Sequence, residues 1–88
     1  FFLFSFFCNA QRGSILGTIS SEGAPVPFAN IYLKNTQTGT TSDENGTYRL
    51  DNLESGTQRI IVSVLGYHTF STNIELNKGQ TRLLDIEL

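Results

Sequence analysis

Methionine and tryptophan are both absent from this 88-residue sequence, and cysteine and histidine occur once each. With no methionine there is no initiator at position 1, so the sequence is expected to be cut from a longer reading frame. One cysteine closes no internal disulfide, and a single cysteine and a single histidine fall short of the three or four nitrogen and sulfur ligands that a zinc site uses. Charge is equally sparse: six Lys/Arg stand against eight Asp/Glu, for a net charge of −2, with no block of either sign. That excludes the basic stripe a phosphate backbone requires, and nucleic acid is not an expected partner. Length sets a further bound. A domain this short buries only about 60% of the surface its unfolded chain exposes, which leaves no room for a deep catalytic cavity.

Long hydrophobic runs are limited to one. Phe1-Phe2-Leu3-Phe4-Ser5-Phe6-Phe7 is apolar but for Ser5, and Cys8-Asn9-Ala10 follows it with small residues at the −3 and −1 positions of a signal-peptidase site. The run is far shorter than the roughly 20 residues of a membrane-spanning helix. It lacks the alternation of a strand. Residues 1–11 are therefore expected to be the tail of a signal peptide, cleaved after Ala10, and residues 12–88 the folded domain. Lipidation at Cys8 is disfavoured, because bulky Phe7 stands where a lipoprotein acceptor needs a small residue. The mature domain would then contain no cysteine, and would depend on its apolar core alone.

What remains is rich in Gly, Thr, Ser and Asn, and divides into seven short alternating runs separated by turn residues. Ile15, Gly17 and Ile19 share one face of the first run. Glu22 to Pro27 forms a turn whose two prolines remove ladder donors. In the second run Ala29, Ile31 and Leu33 point inward, while Asn30, Tyr32 and Lys34 point out. A polar connection, Asn35 to Gly39, leads to a short edge segment at Thr40–Ser42. Asp43-Glu44-Asn45-Gly46 is a strong hairpin turn, since Asn-Gly tolerates positive φ, and it delivers Tyr48 and Leu50 to a common face. Asn52 to Gly56 is read as the next turn. Ile60, Val62 and Val64 then form the most hydrophobic run, the expected sheet centre, with Ile61 and Leu65 on its other side. Phe70, Thr72, Ile74 and Leu76 follow, and after the turn at Asn77–Gln80 come Leu84, Ile86 and Leu88. No stretch carries apolar residues at helical spacing behind a cap. The expected fold is an all-β antiparallel sandwich built from seven such runs.

Few residues invite a chemical role. His68 has no nucleophile or second ligand beside it in sequence, and no Gly-x-Ser-x-Gly elbow exists. Asp43-x-Asn45-Gly46 resembles the start of a calcium loop, but no carboxylate follows at the required position and Glu54 belongs to a different turn; a bare hairpin explains the residues. Asn45-Gly46-Thr47 matches a glycosylation sequon that the same turn accounts for. No catalytic, cofactor-binding or metal-binding residue is therefore expected. Function is better sought at strand edges, where unpaired backbone groups accept a partner's extended segment. The candidates are Thr38–Ser42 and the first strand, with an aromatic patch of Phe28, Tyr32 and Phe70 as a further possibility.

The punctuation as a whole carries a resemblance. Gly17-Thr18-Ile19, Ala24-Pro25-Val26-Pro27-Phe28-Ala29-Asn30-Ile31-Tyr32-Leu33, Gly39 through Leu50 with its Asp43-Glu44-Asn45-Gly46-Thr47-Tyr48 turn, Leu53-Glu54-Ser55-Gly56 and Val62-Ser63-Val64-Leu65-Gly66-Tyr67 together resemble the carboxypeptidase regulatory-like domain family, from about Gly13 to Leu88. Leu65 and Gln58-Arg59 depart from the usual residue types. The resemblance implies a transthyretin-like (prealbumin-like), seven-stranded Greek-key β-sandwich without peptidase activity. One transthyretin-like relative, hydroxyisourate hydrolase, uses several histidines and a C-terminal Tyr-Arg-Gly-Ser signature. This chain has one histidine and ends Asp85-Ile86-Glu87-Leu88.

In bacteria the module commonly follows the signal peptide of TonB-dependent outer-membrane receptors. The implied role is thus a non-catalytic periplasmic accessory domain of a receptor for siderophore or glycan uptake. Its partners would be the plug and barrel of the same receptor or periplasmic energy-coupling proteins, and the membrane would be reached only through the downstream barrel. The alternative is the same sandwich in another exported protein, an adhesin or a carbohydrate-associated surface protein.

Overall fold

A computed structural model describes residues 12–88. The expected leader, its cleavage point after Ala10 and Cys8 lie outside the described residues.

Among the described residues the chain forms nine strands and no helix: β1 Gly13–Ser21, β2 Ala24–Pro25, β3 Asn30–Leu33, β4 Gly39–Thr41, β5 Thr47–Leu53, β6 Gly56–Ser63, β7 Phe70–Leu76, β8 Thr81–Leu83 and β9 Ile86–Glu87. They make two sheets. In the first, β1 is flanked by β5 and β2 on one side and by β8 and β9 on the other; the second has the order β4-β3-β6-β7. The chain crosses between sheets repeatedly, as an all-β sandwich of this Greek-key kind requires. One core fills the space between them, drawing Ile15, Ile19, Tyr48, Leu50, Leu53 and Ile86 from the first sheet and Ile31, Leu33, Ile60, Val62, Ile74 and Leu76 from the second.

Period-two alternation sets these faces. Gly13, Ile15, Gly17 and Ile19 are buried on β1, Ile31 and Leu33 on β3, and Ile74 and Leu76 on β7. Asn30, Tyr32 and Lys34 face water, and β6 lies inside its sheet, as its composition suggested.

Four expectations need correction. The strand count is nine because Pro25 pairs with Ser20 at a sheet margin, where its missing N–H does no harm, and because the last run splits at Leu84-Asp85. The first strand is no edge: β8 and β9 run parallel to it, opposite the antiparallel β2 and β5, so β1 is the centre of its sheet. Leu53 is in the core rather than a turn. Asn52 takes a left-handed φ of 62°, and the register against β1 slips there, so one extra residue brings Leu53 back to the inner face. Finally, β6 ends at Ser63, so Val64 and Leu65, expected within that run, lie beyond the strand, with Leu65 98% exposed.

The parallel closure of the C-terminal segment on β1 is held by a compact set of bonds. Leu84 donates its N–H to the Leu16 carbonyl (2.8 Å), the Thr18 N–H donates to Asp85 Oδ1 (2.9 Å), and the Tyr48 hydroxyl donates to the Leu84 carbonyl (2.5 Å). Gly17 lies under this crossing. A Cβ there would stand 2.0 Å from the Leu84 carbonyl oxygen, so only glycine admits the segment.

Burial raises the Tyr48 hydroxyl pKa well above its ordinary value of 10.0, and the Asp85 carboxylate adds to the effect. The unfolded chain therefore releases this proton at a lower pH than the folded one. The stability tied to the neutral phenol is complete below about pH 10 and is lost as pH rises above it, by up to about 1.4 kcal/mol per pH unit. Urea denaturation between pH 8 and 11, roughly spanning that onset, is expected to show this alkaline slope, and Tyr48→Phe to lessen it by about one proton's worth. An unchanged slope in the variant would contradict the placement of the hydroxyl.

Candidate functional site

Ser42 is the one buried polar side chain among the described residues, at 1% exposure. Its Oγ accepts the Ala29 N–H and donates to the Val26 carbonyl, both at 2.9 Å, while its N–H donates to the Ala29 carbonyl and its carbonyl accepts the Phe28 N–H. Every polar group of the residue is thus consumed in fastening the Val26–Ala29 loop to the end of β4. This is a rivet, and its only local trace is a serine at the end of a polar run. The rivet holds Phe28 in a left-handed φ of 62°, a conformation that costs a non-glycine residue about 1–2 kcal/mol.

Asp43 has a comparable local duty. Its Oδ1 accepts the N–H groups of Asn45 and Thr47, both at 2.9 Å, and its carbonyl accepts the Gly46 N–H. These bonds make the Asp43–Gly46 hairpin self-sufficient. Gly46 carries a φ of 77° and packs so closely that a Cβ would meet the Ile19 carbonyl at 2.5 Å. Among the described residues no three His, Cys, Asp or Glu side chains converge as metal ligands.

His68 sits exposed in the connection between β6 and β7. Residues 66–70 with Glu87 and Leu88 line an open cleft of about 570 Å³ there. The same end of the sandwich carries Phe28, 66% exposed, with Leu65 and the half-exposed Tyr67. The register explains their meeting: Asn30 opposes Ser63, so the chain preceding β3 and the chain following β6 emerge side by side. The expected aromatic patch does not form. Phe70 packs against the core, Tyr32 lies on the outward face of the second sheet, and Phe28 is at the end of the sandwich.

The Thr38–Ser42 expectation holds as geometry: among the described residues β4 pairs only with β3 and is an edge of the second sheet. Beside it, on the outward face, lies a second open cleft of about 500 Å³. Its polar side chains, Asn30, Tyr32, Gln37, Thr40, Thr41 and Ser63, are all uncharged. The surface of the first sheet differs in character. Ser14 Oγ and Arg49 Nε both donate to Asp51 Oδ1 at 2.8 Å, and these bonds hold the exposed Asp51 carboxyl below its ordinary pKa.

Comparison with known proteins agrees with this architecture. The family model for the CarboxypepD_reg-like domain matches residues 15–88. TonB-dependent receptor P39 of Formosa agariphila is 36% identical over 81 residues, covering 91% of this chain and 8% of the receptor. The chain therefore spans less than a tenth of the length of that relative. Among solved structures, a type II cohesin–X-dockerin complex of Acetivibrio cellulolyticus matches with a TM-score of 0.75 at 15% identity, over 85% of this chain and 56% of that one. The Bacillus anthracis TIE protein matches at 0.73 and 21% identity, over 88% and 16%. A protein from Bacteroides uniformis described as a putative carbohydrate binding protein matches at 0.63 and 17% identity, over 85% and 40%. At these identities the structural likeness establishes the shared sandwich fold.

Proposed function

This chain belongs to the CarboxypepD_reg-like domain family, and we propose that it serves as a non-catalytic accessory domain of a TonB-dependent outer-membrane receptor, exported and held on the periplasmic side. The observation that carries the reading is the 36% identity to such a receptor across 91% of the chain, which is likeness of sequence as well as of fold. The chemistry supports it. The polar side chains at Ser42 and Asp43 are spent on backbone bonds, so the domain acts by binding and by placing its neighbours. Leu88 lies at the end of the sandwich that exposes Phe28, Leu65 and Tyr67, so a plug joined after Leu88 would start beside that apolar end. The nutrient, siderophore or glycan, would be chosen by the plug and extracellular loops, and energy would come from the coupling proteins.

The rival reading places the same sandwich in another exported protein, and the range of proteins sharing its fold favours it. The reading frame after Leu88 separates the two: a TonB box, a plug and a long series of alternating amphipathic strands is expected. Deleting residues 12–88 from that receptor, with the leader retained, is expected to leave the barrel inserted while nutrient import falls. A frame that continues into a catalytic or repeat domain, or import unchanged by the deletion, would sink the receptor reading.

A further inference from the structure

We propose that β4 is a docking edge for an extended peptide segment of a partner protein, which adds to the second sheet as a further strand through the free backbone groups of Gly39 and Thr41. The inference rests on the ladder itself and does not depend on the receptor reading.

The register fixes which groups are free. Asn30, Ile31 and Tyr32 oppose Thr41, Thr40 and Gly39. At the two ends of this pairing, Leu33 donates its N–H to the Thr38 carbonyl (3.1 Å) and Ser42 donates its N–H to the Ala29 carbonyl (3.0 Å). Bonded and non-bonded pairs alternate in an antiparallel ladder, so Ile31–Thr40 is the bonded pair between them. The N–H and C=O groups of Gly39 and Thr41 consequently point away from β3. Both residues are exposed. They present two donors and two acceptors in strand geometry, which is what an extended backbone recognises.

The other margins of the sandwich each carry a feature that disfavours strand addition. β2 contains Pro25, which has no N–H to offer. β5 bulges at Asn52 and carries the Arg49–Asp51 ion pair. On β7, the Arg82 guanidinium donates to the Glu75 carbonyl at 3.1 Å. β8 and β9 are separated by the break at Leu84-Asp85. β4 has neither proline, charge nor bulge, being Gly-Thr-Thr. Its brevity limits the ladder to a few bonds, which suits a weak and reversible contact.

The adjoining cleft defines the partner's side chains. With only neutral polar groups and the Tyr32 ring along the edge, it suits uncharged residues, one of them packing on the ring. A charged segment would gain no ion pair there. A neutral oligosaccharide would use Tyr32, Asn30 and Gln37 but would have no need of the strand geometry, which is why the free ladder groups favour a peptide.

The test uses the isotope-labelled chain and a blocked Thr-Val-Thr-Val-Thr-Val peptide, followed by amide exchange and chemical shifts. Saturating peptide is expected to slow exchange at Gly39 and Thr41 by about 10-fold or more, with Thr40, already bonded to Ile31, unchanged. The same peptide N-methylated at every residue is expected to give no protection. Thr41→Pro removes an outward donor that the β3 ladder does not use and is expected to abolish binding; Thr41→Lys, a milder edge guard, is expected to weaken it about 10-fold. No protection by the unmethylated peptide, equal shifts with the methylated one, perturbation centred on Phe28 and Leu65, or shifts at Tyr32 with maltohexaose but not with peptide would each overturn the proposal.

Discussion

Gly17→Ala is expected to lower the unfolding free energy by about 3 kcal/mol or more, most of what a domain this small possesses. The added methyl would occupy a position 2.0 Å from the Leu84 carbonyl oxygen and 2.6 Å from its carbon. Both are backbone atoms of the paired segment, so no side-chain rotation relieves the clash. Either β1 or the C-terminal segment must move. Forcing a methyl into a packed site costs about 1–3 kcal/mol by itself. A displaced C-terminal segment also loses the Leu84 N–H to Leu16 bond, the Thr18 N–H to Asp85 bond and the Tyr48 hydroxyl's acceptor. Of these groups the Tyr48 hydroxyl is the one that would be left unpaired within the core, which adds about 1–3 kcal/mol, while the exposed Thr18 N–H turns to water. Urea denaturation at neutral pH measures the total, and the alkaline slope assigned to Tyr48 is expected to shrink in the same variant, because its phenol no longer sits in a closed site. A loss below about 1 kcal/mol would mean that β8 and β9 are not seated on β1 as described.

This crossing marks the limit of what could be read from the sequence. Alternation identified the inner faces of β1, β3 and β7 correctly, because a strand buried on one face writes its register into the spacing of Ile and Leu. The apolar content of β6 on both of its faces placed it inside a sheet. Alternation says nothing about which strands are neighbours. Gly17 and Leu84 are 67 positions apart, and their contact, which turns β1 from an apparent edge into a sheet centre, leaves no local trace except a glycine within a strand. A phase slip also hid Leu53: one extra residue at Asn52 inverts the face of everything after it, so a core leucine looked like part of a turn. The edge at β4 was legible as a short polar run. Its availability was not, since that depends on Arg82, Pro25 and Asn52 guarding the other margins.

Val62→Ala and Leu65→Ala test that register directly, because hydrophobic content and structure rank them in opposite orders. Leucine loses more apolar atoms than valine on truncation, so composition alone predicts the larger cost at position 65. The structure reverses this. Val62 is 1% exposed and lies on the inner face of β6, opposite Ile31 on β3 and Phe70 on β7. Ladders on both sides pin its backbone, so the space left by two methyl groups cannot close by collapse, and the loss is expected to be about 2–4 kcal/mol. Leu65 stands beyond the strand at 98% exposure, where truncation removes almost no buried surface and is expected to change stability by no more than about 0.5 kcal/mol. Parallel thermal melts of the two variants decide between the orders. Equal losses, or a larger one at Leu65, would require β6 to be shifted by an odd number of residues, and that shift would carry Ile60 and Val62 to the water side of the sheet and Arg59 and Ile61 into its core.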